Sequence, residues 1–352
     1  MKRTRALGTV LVLLGMLSVM TGCGGDDPVV VSREALGTVV TVTAYGEDEE
    51  AVTAAIEDAY VAMAAVEAQL DAYDAASVIS QFNANPYTQT VLPAEANAIL
   101  NEVIVLGVGA DFSPSLLGVE RLYDFEGSPH VPDADDLVLA VAAANTFRRN
   151  PDGTAEFMRG DNPDARLDAG GALAPGVDLG GAAKGLAMDR AREALKASGA
   201  VTAALISSGS STVTFGEKPD GGAWVIGIED PRDPDEIVAT FTFEGDGALS
   251  TSGDYQRYFE ADGRRYHHIL HPSTGRPAEG LRSLTVASAT LAGVHTDILS
   301  TALFVMGPDE AQEWATDHGA ALYAVDTEGR ALVVPAPDDS SLKVDEKRDP
   351  EP

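Results

Sequence analysis

The apolar positions along the chain alternate between strand-like and helix-like spacing. Thr38 to Ala44 reads TVVTVTA, a β-branched run suited to a pleated sheet surface. Between Asp48 and Ala72, Val52, Ile56, Ala59, Met63, Val66 and Leu70 recur every three or four residues. Acids crowd the first turn, so the stretch predicts a long amphipathic helix. A second helix is expected after Pro93, with Ala98, Val103, Ile104 and Leu106 as its buried set. Asn150 to Gly176 is rich in Gly, Pro, Asp and Asn and predicts loops around short strands. Helical periodicity returns from Leu186 to Ser198 and in an apolar run ending at Met306. Tyr255 to Glu260 and Arg265 to Leu270 read as two strands around Ala261-Asp262-Gly263, a hairpin whose second strand carries His267 and His268. Strand neighbours face opposite sides, so one histidine can enter a cleft while the other faces away.

The termini change the picture. Lys2, Arg3 and Arg5 precede an apolar run from Ala6 to Met20 that is short for a membrane span and has the layout of a secretion signal. It ends in Met20-Thr21-Gly22-Cys23, which resembles a bacterial lipobox. Residues 1–22 are therefore expected to be a cleaved lipoprotein signal, Cys23 the lipidated first residue, and residues 23–32 a tether. Cys23 is the only cysteine, so the chain cannot form an internal disulfide and its stability must come from its core. Residues 335–352 are charged and poor in large apolar groups and are expected to be disordered. The net charge of -31, from 55 acids against 24 bases, argues against nucleic acid as a partner. It also requires any anionic ligand to find a local positive site or a metal.

Three segments carry candidate chemistry. The stretch Ala248 to Pro277 combines STSGDY, two adjacent histidines and the turn HPSTGRP in a chain with six histidines. In Val177 to Gly185, VDLGGAAKG, the glycines allow close backbone approach, the following helix offers unpaired N–H groups, and Lys184 adds positive charge. Together these suit an anion or phosphate. Asp178 could accept hydrogen bonds from a ligand or cap the helix, and a Gly-rich turn without a ligand fits the same nine residues. In VHTDILST (294–301), Asp297 and Thr301 share one helix face as oxygen donors, which suits Mg²⁺ rather than zinc. Taken alone, Asp297 reads more readily as a helix cap and Thr301 as bonded to a backbone carbonyl.

The order of these segments resembles the ApbE family of FAD:protein FMN transferases. The resemblance spans Leu36 to Val325 and rests on LGTVVTV, DAYDAASVISQFN (71–83), VDLGGAAKG, STSGDYQRYF, RYHHILHPSTGRP and TDILSTALFVMG. It implies an exported, lipid-anchored enzyme that binds FAD with Mg²⁺, releases AMP and joins FMN to a threonine hydroxyl of a partner protein. Such partners are flavin-carrying subunits of membrane redox complexes. By the same resemblance Asp297, Thr301, Ser300 and the Gly181 carbonyl belong to the metal shell, and Asp178 and Lys184 contact FAD. Tyr73 packs on the flavin. Leu36, Asp111, Phe112, Ser113 and the Leu270 backbone line the site, and His268 takes the threonine's proton. His267 is expected to be structural.

The chain also departs from the family pattern. His271 replaces the usual Asp of the DPxTG turn, Ser207 to Ser211 replace an N-L-G-G-D run, and Ser113 stands where Asp is general. Ser300 holds a position where some members carry a further metal-binding Asp. Pattern and resemblance together predict an α+β fold with mixed β-sheets in one two-lobed unit over residues 33–334, its active site in the cleft between lobes. Two rival functions use the same pocket: an FAD pyrophosphatase yielding FMN and AMP, and a flavin-binding lipoprotein without turnover.

Overall fold

The structure, a computed structural model, describes residues 27–159, 164–337 and 341–347. Its elements begin with β1 (Val29–Ala35), β2 (Thr38–Tyr45), α1 (Glu49–Leu70), α2 (Val78–Ala84), β3 (Thr90–Val91), α3 (Ala94–Leu106), α4 (Leu117–Tyr123) and α5 (Ala134–Ala144). Then follow β4 (Phe147–Arg149), β5 (Thr154–Phe157), α6 (Gly180–Ser198), β6 (Ala203–Ser207), β7 (Ser211–Phe215), β8 (Trp224–Glu229), β9 (Ile237–Phe243) and β10 (Gly247–Gly253). The last are β11 (Tyr258–Ala261), β12 (Arg264–His267), β13 (Leu281–Ser288), α7 (Gly293–Met306), α8 (Pro308–His318), β14 (Ala321–Asp326), β15 (Ala331–Val334) and β16 (Leu342–Glu346).

An eight-stranded sheet ordered β1-β2-β6-β7-β10-β13-β14-β15 forms the spine. Successive residues of its central strands enter different cores. Leu322 and Ala324 join the cluster under α1, α6 and α7, while Tyr323 and Val325 join a second cluster with Trp224, Phe241 and Phe243 under β16-β9-β8. Burial on both faces explains why β14 is apolar almost throughout rather than alternating. Helix α1 follows its sequence pattern: all six expected positions are buried, and the Asp48 carboxylate accepts from the N–H groups of Glu50 and Ala51 at 3.0 and 3.2 Å.

Several expectations need correction. The class is α+β, but every pair of named strands is antiparallel; the expected parallel component is reduced to one isolated bridge, Leu116 with Gly176. Helix α3 buries Ala96, Ile99, Leu100 and Val103, and Ile104 is 72% exposed. The 96/99/100/103 spacing sets the inner face, which turns residue 104 outward. The tether expected over 23–32 gives way at Val29 to β1, paired along its length with β2. Residues 342–346, expected to be disordered, pair as β16 with β9 and bury Leu342. The hairpin strands are also shorter than expected: β12 ends at His267, and Asp262 and Gly263 both take positive φ, the geometry of a tight two-residue turn. The signal segment and Cys23 lie outside the described residues.

Candidate active site

A cleft of about 740 Å³ opens where the ends of α1 and β1, the segment 111–126, the start of α6, the hairpin and α7 converge. It is lined by all thirteen site residues expected from the sequence within the described region. These are Leu36, Tyr73, Asp111, Phe112, Ser113, Asp178, Gly181, Lys184, His268, Leu270, Asp297, Ser300 and Thr301.

The phosphate-grip segment is fixed from behind. Buried Asn83 of α2 pairs with the backbone of Val177 on both sides: its Nδ2 donates to the Val177 carbonyl (2.8 Å) and its Oδ1 accepts from the Val177 N–H (2.7 Å). Asp178 N–H donates to Pro114 O at 2.8 Å, and its carboxylate accepts from Gly180 N–H (2.7 Å) and from Tyr73 OH (3.4 Å). Asp178 is thus both a cap for α6 and a cleft wall. Among the described residues Lys184 has no ion-pair or hydrogen-bond partner, which leaves its ammonium available to an anion. A Cβ on Gly181 would sit 3.1 Å from the Phe112 ring, which would have to shift by a few tenths of an ångström, and 3.7 Å from Thr301 Oγ1, so the glycine lets the Phe112 ring pack close against the start of α6.

Asp297 is 4% exposed, and its oxygens accept from Gly185 N–H and Ser211 Oγ, each at 2.6 Å. Ser300 Oγ shares a 2.9 Å hydrogen bond with Ser252, which also lies 3.3 Å from Thr301 Oγ1. Among the described residues no Lys, Arg or His pairs with this carboxylate, and each carboxylate oxygen keeps a lone pair after one hydrogen bond. The donors Asp297, Ser300, Thr301 and the Gly181 carbonyl are all oxygen, so they fit a hard divalent ion such as Mg²⁺. With a single carboxylate among them, phosphate oxygens or water would complete such a shell.

The two histidines sit in different settings. His267 is buried, its Nε2 3.0 Å from Ala278 O and its ring edge-on to Phe304. His268 lines the cleft, its backbone N–H bonded to Arg257 O and its Nδ1 buried without a partner. Burial, reinforced by Arg257 and His267, pushes its pKa down to about 3, so the imidazole is neutral at ordinary pH. His271, the unexplained departure, does the turn work of an Asp: its Nδ1 lies 3.3 Å from the Ser273 N–H and 3.1 Å from Ser273 Oγ, while its carbonyl accepts from Thr274 and Gly275. Leu36 sits at φ 56, in the left-handed region that leucine rarely adopts, at the cleft rim.

Sequence reasoning missed Glu120, Arg257, Ser211 and Ser252 as cleft residues. Ser252 lies inside the STSGDY motif and Ser211 inside the serine run, so a motif signal existed for both. Arg257 also lies inside the STSGDYQRYF motif, whereas Glu120 carried no such signal, because only the folded position of α4 brings it in.

The fold and this site belong to a flavin-handling class of protein. Residues 36–324 match the ApbE family, and the chain belongs to it. It is 28% identical to an FAD:protein FMN transferase of Klebsiella pneumoniae, covering 94% of this chain and 93% of that one. It is likewise 28% identical to the protein of that name in Haemophilus influenzae, over 90% and 91%. Its fold matches the crystal structure of the Thermotoga maritima ApbE protein (TM-score 0.74, 27% identity, 87% of this chain and 97% of that one). It also matches the apo flavinyl transferase ApbE of Pseudomonas stutzeri (TM-score 0.70, 28% identity, 89% and 96%).

Proposed function

We infer that the cleft is the active site of a flavin transferase that moves FMN from FAD to a protein acceptor. The observation that carries this reading is the convergence in one cavity of an unpaired lysine at a helix start, an uncompensated oxygen-donor face and a neutral histidine. Lys184 and the first N–H groups of α6 would hold the pyrophosphate. A divalent ion bound by Asp297, Thr301, Ser300 and the Gly181 carbonyl would offset the negative charge that builds on the leaving AMP. The acceptor's threonine oxygen attacks the phosphorus of the FMN half, and the bond from that phosphorus to the bridging oxygen breaks. AMP departs with the bridging oxygen, and the hydroxyl proton passes to His268. Neutral His268 can accept that proton without first losing one. Tyr73, at the mouth, would cover the flavin ring.

The acceptor would be a subunit of a membrane redox complex, and a lipid at Cys23 would hold the enzyme at the membrane surface outside the cytoplasm. Among the described residues no helix is long and apolar enough to cross a membrane. The purified protein should be incubated with FAD, Mg²⁺ and a candidate acceptor, and the acceptor's intact mass recorded. A gain of one FMN is expected, abolished in His268→Ala and Asp297→Ala while both still bind FAD. Free FMN and AMP with an unchanged acceptor would instead establish the pyrophosphatase. Retained FAD without turnover, metal or no metal, would establish the binding lipoprotein.

A further inference from the structure

Helix α4 places in the cleft a carboxyl group that the transfer chemistry leaves unused. Glu120 lines the cavity together with Tyr73, Asp178, Glu126 and Arg257. Its side chain makes no hydrogen bond or ion pair with any described residue. The groups within electrostatic reach are Asp178 before α6, Tyr73 after α1, Glu126 after α4, Arg121 on its own helix and Arg257 beyond β10. Arg257 lies 3.5 Å from Glu126, so its charge is shared with another acid. Two carboxyls facing one cavity resist double ionisation, and burial adds to that resistance. Burial first and Asp178 second hold the Glu120 acid well above the usual carboxylate range. A ligand filling the cavity would remove the remaining water, and an anionic ligand would add like charge. Both favour the neutral acid further.

We propose that Glu120 is a specificity-determining residue of the cleft: it meets the bound flavin dinucleotide as a neutral acid, donates one hydrogen bond to an acceptor atom of the ligand, and weakens binding when it ionises. Tyr73, its neighbour, is the ring expected against the flavin. The acceptor is therefore assigned to the flavin half: a ring carbonyl, a ring nitrogen or a ribityl oxygen. This rests on the flavin-transferase reading.

The test is equilibrium binding of FAD to the full chain without divalent metal, so that nothing turns over, followed by flavin fluorescence anisotropy from pH 6.5 to 9. If only the neutral acid binds, the wild-type Kd rises with pH over this range, approaching tenfold per unit once the acid is mostly ionised. Glu120→Gln, which keeps a donor and loses the charge, should match wild type at pH 6.5 and change by less than about twofold over the range. Riboflavin, which carries no phosphate, should show the same contrast, and ADP should not. Bound FAD with parallel pH profiles in the two proteins would overturn the proposal alone. Failure of both proteins to bind FAD at any pH would overturn the flavin reading and this proposal with it.

Discussion

Asp189 should be among the most sensitive positions outside the cleft. From α6 its carboxylate accepts from the N–H groups of Gly293 and Val294, both at 2.9 Å, and so caps α7 from a neighbouring helix. It also receives Arg192 at 2.7 Å. Burial raises its pKa despite these partners, so keeping it ionised has a cost that the three hydrogen bonds offset. Asp189→Ala removes the acceptor while the two N–H groups and the arginine remain, the situation in which breaking a buried pair costs about 3–5 kcal/mol. Against a typical total of about 5–15 kcal/mol that is a large share of the stability. Asp189→Asn keeps one acceptor oxygen and should lose less, about 1–3 kcal/mol. Urea unfolding at neutral pH measures both, read from the midpoint at constant slope. A loss below about 1 kcal/mol for Asp189→Ala would show that packing alone fixes the start of α7, and would refute the capping argument.

Two further outcomes follow from the same geometry. Gly185→Ala would drive a Cβ into the Gly293 carbonyl and to 2.8 Å from Val294 N, all backbone, so about 3 kcal/mol of destabilisation is expected, read as a lower thermal midpoint. His268 has a folded pKa near 3, below its unfolded value, so it contributes no pH dependence above about 6.5 and removes about 1.4 kcal/mol per pH unit as pH falls from there towards 3. Replacing it by Gln should flatten the acid side of the stability profile by that slope, and an unchanged slope would contradict its neutral burial.

What was legible in the sequence was chemistry confined to short segments. Asp178, Lys184, Asp297, Thr301 and His268 lie in short motifs whose spacing left a structural reading open and whose order, through the family resemblance, assigned them roles; the fold brings them into one cavity. Glu120 enters from a helix without such a pattern, and Arg257, though inside the STSGDYQRYF motif, had no role assigned to it; only tertiary placement brings both into the cleft with Asp178. The edge strands β1 and β16 were missed because VVVSREA and LKVDE lack the continuous apolar character of a buried strand. Their pairing is decided by partners far along the chain. The misplaced face of α3 came from choosing Ile104 by hydrophobicity, where the i, i+3, i+4, i+7 set 96/99/100/103 decided burial.

The seam between α6 and α7 explains why this site can be exact in a chain without disulfides. Each helix lends the other a carboxylate: Asp189 of α6 accepts from the first N–H groups of α7, and Asp297 of α7 accepts from Gly185 N–H of α6. The two glycines at the crossing, Gly185 and Gly293, bring the backbones close enough for both exchanges. Glu102 of α3 adds a third tie: its carboxylate lies 2.8 Å from His295 Nε2, while His295 Nδ1 accepts from the Ala292 N–H. The distance from the Lys184 end of α6 to the Asp297 face of α7 is therefore set by hydrogen bonds from backbone N–H groups to two short, buried carboxylates rather than by long flexible side chains. On the proposed reading, a phosphate held at one end would meet oxygen donors already in place at the other, and such preorganisation is where electrostatic catalysis gains most. Asp189 uses both of its oxygens inside the seam. Asp297, four residues into α7, does the same structural work and still borders the cleft, which is why the two carboxylates of one seam have different fates.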